Sequence, residues 1–358
     1  MIRLFLSSIP FMVCLGWFVV FILRYRENDT PKRILTCFLA VCVVLYLCHA
    51  LYVNGGLSVG MESLWTLCSL SVYPLYYMYI CELTAKPLKF KVVALCLLPG
   101  ALVALCKFLF PGDESDLVRK VLFAVQVVTV CYLGYKNLVE FDKELANVYA
   151  DMEGRETKDV KMLLVAFVAT SVLSSAANAI GKQYFITSEW LMLALLPFAV
   201  MLYALSYIGF TRTFSVCQYL DDAKDDVVNI PVLDPKEQKD ELERKIAMLM
   251  TEKRIYLRKN LKIGEFANEA GSCRTYVSNY INTKYGQTFL EYINRHRIEY
   301  SKRLLLKPEP EKMCIVADKA GFSSEQSFYR NFRKFVGVNP AEWMAEEKKK
   351  QNEILFGD

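Results

Sequence analysis

The sequence predicts an all-α protein: an N-terminal seven-transmembrane-helix bundle, then a C-terminal domain of two helix-turn-helix subdomains joined by a long helix. Three observations predict it. Of 358 residues 54% are hydrophobic, and mean hydropathy is +0.23. That is high for a soluble domain, and the excess lies before residue 211. Second, Ile263–Trp343 contains one helical pattern written twice. Third, charge is divided. Residues 236–350 carry 24 Lys and Arg against 16 Asp and Glu, net +8, which leaves −3 of the chain's +5 for the rest.

Apolar runs occur at Ile2–Leu23, Ile34–Val53, Ser63–Cys81, Phe90–Phe110, Val118–Tyr135, Val160–Ile180 and Trp190–Phe210. Each is near the ~20 residues with which a helix crosses ~30 Å of hydrocarbon. The fifth is the most polar, with Arg119, Lys120 and Gln126. Cations follow the odd-numbered runs: Arg24, Arg26, Lys32 and Arg33; Lys86, Lys89 and Lys91; Lys136, Lys143, Arg155, Lys158 and Lys161. The other loops hold Arg119, Lys120 and Lys182, with Arg3 near the start. The positive-inside rule therefore expects the N-terminus outside and, after seven spans, a cytoplasmic C-terminal domain. The expected location is an inner (cytoplasmic) membrane, multi-pass. No small-residue cleavage site follows the first run, so it reads as a retained helix and not a signal peptide.

Nine of twelve cysteines lie in these runs, where Cys acts as a small hydrophobe. No metal-ligand spacing or disulfide framework is visible. His49 reads as structural, Gln126 and Asn178 as interhelical hydrogen-bonding groups, and Lys107 as a snorkelling cation. Tyr73-Pro74-Leu75-Tyr76-Tyr77-Met78-Tyr79 fits two readings equally, a polar lining beside a proline kink or an interfacial aromatic belt.

Residues 1–210 thus form the membrane domain, with Glu140–Asp159 a polar cytoplasmic loop, helical at its start. An acidic linker, 211–235, carries five Asp between Asp221 and Asp234 and spans at most ~80–90 Å. The third domain is 236–348, followed by a tail, 349–358. Its first helix is expected over Lys236–Tyr256, opened by Pro235. In the repeat, Ile263, Ala267, Gly271 and Gly286 recur as Ile315-Val316, Ala317, Gly321 and Gly337. The offset is 50 residues at Ala and the first Gly and 51 at the second. The expected helices are Leu261–Ala270 and Arg274–Tyr285, then Glu311–Ala320 and one capped by Ser323 or Ser324 running to about Val336. Gly271 and Gly321 supply the tight turn. Gln287–Lys307 reads as one connecting helix of ~31 Å, ended by Pro308 and close to a ~34 Å turn of B-DNA. Arg274, Thr275, Ser278 and Asn279 are expected outward on one helix. Glu325, Gln326, Ser327, Arg330, Arg333 and Lys334 are expected outward on the other. Short polar side chains at the start of such a helix, on a basic domain, are the pattern that meets base edges and phosphates.

The stretch Ile315-Val316-Ala317-x3-Gly321-Phe322-Ser323-x4-Phe328-Tyr329-Arg330-x-Phe332-Arg333-Lys334-x2-Gly337-x2-Pro340-x2-Trp343 resembles the signature of the AraC/XylS family of bacterial transcription regulators. Ser301 departs from it, standing where that family usually has Ala. The resemblance covers about Lys236–Lys348. It implies double-stranded promoter DNA and RNA polymerase as partners, transcriptional activation more often than repression, and base contacts by the outward residues just named.

No P-loop, kinase glycine-rich loop, H-E-x-x-H or nucleophile beside an available His occurs, so no enzyme, catalytic residue, cofactor or metal is expected. The expected function is a membrane-tethered, one-component DNA-binding regulator. Its other partners are the lipid bilayer, a second copy in a homodimer, and an unidentified small-molecule or membrane signal. Two alternatives stay open on sequence: a transporter or membrane enzyme with an autoregulatory DNA-binding domain, and a regulator whose spans are a passive anchor.

Overall fold

The computed structural model of the protein describes residues 2–26, 28–55, 58–110, 114–153, 155–180, 193, 195–212, 219, 235–307 and 311–356. Among them there is no strand, only a single bridge between Tyr149 and Lys262. The chain divides into two compact units. One is Met1–Phe141 with Thr157–Val216, the other Asp142–Glu156 with Cys217–Asp358.

The first unit contains α1 (Ile2–Leu23), α2 (Thr30–Gly55), α3 (Val59–Leu83), α4 (Phe90–Leu109), most of α5 (Glu114–Val148), α6 (Lys158–Ile180) and α7 (Leu195–Thr211). Four described helices, α1, α2, α4 and α5, are long and apolar enough to cross a membrane, and α7 is a shorter apolar helix. Consecutive helices from α1 to α4 pack on one another, and α7 packs on α1, α2 and α6. The core they enclose includes Leu35, Phe38, Tyr76, Tyr79, Leu164 and Leu202. The outer face is apolar too: Leu95, Leu102, Leu105, Val121, Val128, Val165 and Val200 are all exposed. Apolar surface on both sides of a helix is what a lipid-facing bundle carries. Hydroxyls inside it bond to the preceding turn of their own helix, as in Thr36 to the Lys32 carbonyl at 2.8 Å and Ser206 to the Leu202 carbonyl at 2.8 Å. A polar group in hydrocarbon has few other acceptors.

Two sequence expectations change here. Tyr73, Tyr76 and Tyr79 are buried, and Tyr73 and Tyr76 each lie 4.7 Å from the Phe167 ring. They are core residues and not an interfacial belt. Lys107 is buried and sits 3.7 Å from Glu62, so its charge is paired where snorkelling was expected. Asn178 and the greater part of the linker 211–235 lie outside the described side chains.

The second unit is built from α8 (Pro235–Thr251), a 3₁₀ turn (Ile255–Leu257), α9 (Ile263–Glu269), α10 (Arg274–Tyr285), α11 (Phe289–Leu305), α12 (Met313–Lys319), α13 (Glu325–Val336) and α14 (Pro340–Phe356). Asp142–Glu156 belongs to it as well. The pairs α9–α10 and α12–α13 are the two helix-turn-helix subdomains. Each has its own apolar centre: Ile263, Phe266, Val277, Ile281, Phe289 and Ile293 in the first, and Leu305, Val316, Ala317, Phe322, Phe328 and Phe332 in the second.

Helices α9 and α12 are offset by 50 residues, and α10 and α13 by 51. The extra residue is therefore in the second turn, Gly321-Phe322-Ser323-Ser324 against Gly271-Ser272-Cys273. The offset also corrects one pairing. Val316 matches Phe266, both fully buried, and Ile315 is 40% exposed. All four repeat glycines have positive φ, from +64° to +93°. At Gly321 the need is also spatial, since a Cβ would lie 2.6 Å from the Leu257 carbonyl oxygen.

The connecting helix is shorter than the sequence suggests. A capping box starts it at Thr288, whose hydroxyl accepts from the Glu291 amide while the Glu291 carboxylate accepts from the Thr288 amide. It ends at Leu305, and Pro308 lies outside the described residues. Seventeen residues give ~25 Å and not ~31 Å, so this helix does not by itself match a turn of B-DNA. Likewise α8 ends at Thr251, where the chain leaves the helix before the 3₁₀ turn, with Arg254 at φ +47°.

Candidate nucleic-acid interface

Arg297 of α11 lies in the connecting helix between the two helix-turn-helix pairs. It has no solvent exposure, and its guanidinium donates from Nε to the Tyr256 carbonyl (2.7 Å) and from Nη2 to the Arg258 carbonyl (2.7 Å). Nη1 donates to the Ala150 carbonyl (3.3 Å) and to Asn294 Oδ1 (3.2 Å). Burial pulls its pKa down to about 10 while the Asp151 carboxylate opposes the shift, so the group stays charged at neutral pH. Ser301, the departure from the AraC/XylS pattern, is buried and donates to the Ile298 carbonyl at 2.7 Å, which makes a small polar residue tolerable there.

The second helix of the first pair, α10, starts at Arg274 and exposes Thr275 and Asn279, while Arg274 and Ser278 are half-buried. These four line one cleft together with Glu144, Asn147, Val148 and Tyr219. Tyr276 is half-buried, and Val277, Tyr280 and Ile281 are buried on the inner face. The second helix of the other pair, α13, is capped by Ser324, whose hydroxyl accepts from the Ser327 amide at 3.2 Å. Glu325, Gln326, Arg330, Arg333 and Lys334 are exposed.

Ser327 was expected outward with them and is buried, its carbonyl accepting from Asn331 Nδ2 at 2.9 Å. Its equivalent in the first subdomain is Tyr276, one of the inward residues, so the 51-residue offset held the signal for this. By the same offset Thr275 matches Gln326 and Asn279 matches Arg330, two exposed pairs at equal depth in their subdomains.

Ion pairs tie the exposed cations down. Lys334 Nζ lies 2.9 Å from Glu291 Oε1, which links α13 to the capping box of α11. Burial acts to raise the Glu291 pKa, and the hydrogen bonds from Lys334 and Thr288 outweigh it, leaving the carboxyl below its ordinary value. Arg330 Nη1 lies 2.8 Å from Glu156 Oε1. Glu153 Oε2 accepts from Ser323 Oγ at 2.8 Å and Ser324 Oγ at 2.6 Å. Sequence reasoning treated Glu144, Glu153 and Glu156 only as members of a polar loop. No local motif signals their approach to residues of α10 and the start of α13, 130 to 174 positions away in the chain.

A basic unit with two tight-turned helix pairs, each exposing the polar start of its second helix, has the architecture of a helix-turn-helix domain. Residues 266–346 match the family described as "Helix-turn-helix domain". Two curated relatives are 36% identical to this chain over 83 residues: the "Virulence regulon transcriptional activator VirF" of Yersinia enterocolitica and the "Thermoregulatory protein LcrF" of Yersinia pestis. The matched stretch is 23% of this chain and 30% of each relative, so the chain spans under a third of the relatives' length. No solved structure matches.

Proposed function

We propose that the chain is a membrane-tethered, sequence-specific transcriptional regulator of the AraC/XylS kind, activating promoters in response to a signal received by its membrane helices. The observation that carries this reading is the equivalence of Thr275 with Gln326 and of Asn279 with Arg330. Two chemically different sets of side chains stand at the same places on two copies of one DNA-docking unit. Each set reads its own short box. In α13 Gln326 is suited to adenine and Arg330 to guanine, with Arg333 and Lys334 on phosphates. In α10 Arg274, Thr275, Ser278 and Asn279 do the corresponding work. Glu325 discriminates by accepting from cytosine, and Ser327 positions α13 through its cap instead of touching a base.

The seven-span reading adds α3, α6 and α7 to the four strongly apolar helices; α3 and α6, at 25 and 23 residues, are long enough to span. Residues 211–235 tether the DNA-binding domain, which lies in the cytoplasm with RNA polymerase. The name of the Yersinia enterocolitica relative, an activator, supports activation over repression.

The test is binding of the detergent-solubilised full chain to duplex DNA across a salt series. Affinity should fall steeply with salt as condensed counterions are released. Lys334→Ala should weaken all sequences alike and reduce the slope by about one. Salt-independent binding, or none, would sink the proposal.

A further inference from the structure

The last two turns of α5, with the loop that joins it to α6, lie on the proposed reading face. Asp142–Glu156 holds five carboxylates against Lys143 and Arg155. Three of those carboxylates reach the reading helices. Glu144 lines the cleft formed with Arg274, Thr275, Ser278 and Asn279. Glu153 takes the hydroxyls of both Ser323 and Ser324 at the start of α13, and Glu156 pairs with Arg330. An oxygen anion on the hydroxyls that begin a reading helix, and another on its outward arginine, occupy the positions where backbone phosphates dock.

The segment is seated by its backbone as well. The Ala150 amide donates to the Leu261 carbonyl at 3.0 Å, the Ala150 carbonyl accepts from Arg297, and Tyr149 and Ala150 are buried. Arg155 stands 4.5 Å over the Tyr149 ring and donates to the Asp151 carbonyl at 3.1 Å, which keeps one of the two local cations turned back on the segment itself. Exposed ion pairs of this kind are individually weak, so the arrangement is reversible.

We infer that Asp142–Glu156 is an intramolecular competitor of DNA: its carboxylates stand in for backbone phosphates across both reading helices, and DNA binds when the segment leaves. The inference rests on the DNA-binding reading above. It gives the membrane helices a physical lever, because the segment is the end of α5 and its connection to α6, and any movement of these helices pulls on it.

The experiment compares the detergent-solubilised full chain with two variants, using a pool of random-sequence duplexes of about 40 base pairs at low salt. Glu144→Gln/Glu153→Gln/Glu156→Gln removes the competing charges. Ala150→Pro removes the amide donated to Leu261 with no change of charge. If the open state is about a tenth of the population, each variant should bind about tenfold tighter. Unchanged affinity in both overturns the inference while leaving the DNA reading intact. A gain in the triple variant alone marks a general charge effect and also overturns it. No binding by any of the three overturns the DNA reading and the inference together. Hydrogen exchange supplies a second measurement: saturating DNA should expose the Ala150 amide of the unmodified chain, and continued protection with DNA bound overturns the inference.

Discussion

Arg297 delivers hydrogen bonds to three backbone carbonyls from a position without solvent exposure. Replacing it by Met leaves those carbonyls buried and unpaired, at about 1–3 kcal/mol each before relaxation. We expect Arg297→Met to destabilise the C-terminal unit by about 3 kcal/mol, read by denaturant unfolding, with Arg297→Lys intermediate because an ammonium cannot span all three acceptors. A change under about 0.5 kcal/mol would show that the carbonyls find other partners. His296, one residue earlier, stands between the rings of Tyr256 (5.8 Å) and Tyr292 (5.0 Å). Burial, with Arg295 beside it, lowers its pKa. The folded unit therefore binds fewer protons at this site than the unfolded chain. Stability is fully present above the unfolded value of about 6.5 and falls as pH drops below it. His296→Gln should flatten the thermal-stability profile between about pH 7 and 5.5, above the range where the paired carboxylates titrate. An unaltered profile would assign the slope to other groups.

At the scale of elements, the four positive-φ glycines separate two costs. Gly286 has nothing within 4 Å of an added Cβ, so Gly286→Ala bears only the backbone penalty of about 1–2 kcal/mol. Gly321→Ala adds a 2.6 Å clash with the Leu257 carbonyl and should cost clearly more, with loss of DNA binding as the α12–α13 turn opens. Equal losses would mean that the 3₁₀ turn yields. These glycines and the paired Ala267 and Ala317 were legible because a duplicated turn imposes the same backbone demand twice. Helix ends were less so. Thr288 and Glu291 mark the start of α11 with a capping box, two residues inside the start expected at Gln287. Ser327 was misplaced because a small polar residue carries no inward signal of its own, and only the comparison with Tyr276 places it. The same offset sets the box prediction. Gln326→Ala should relax specificity in one box and Asn279→Ala in the other, each by about 1–3 kcal/mol per lost bidentate contact. Inserting five base pairs between boxes turns one by about half a helical turn from the other. It should break simultaneous reading whatever the length of α11.

On the scale of the whole molecule, the segment Asp142–Glu156 constrains topology more strongly than loop charge does. It is the end of α5 and the loop before α6, yet its backbone is bonded to Leu261 and Arg297 of the C-terminal unit. Two parts of one compact unit cannot face opposite sides of a bilayer. On the proposed membrane reading an even number of crossings is then required between Glu156 and Cys217, and the proposed spans α6 and α7 meet that requirement. Sequence reading reached the same side from the excess of Lys and Arg, but it could not see this link, because contacts between residues over a hundred positions apart leave no periodicity. Reporter fusions active only in the cytoplasm test the parity directly. Fusions after Met152 and after Phe210 should both be active, and one at Gly56 should be silent. Activity at only one of the first two positions would contradict the shared unit. Activity at Gly56 alone would reverse the orientation and remove the DNA-binding domain from the compartment that holds DNA.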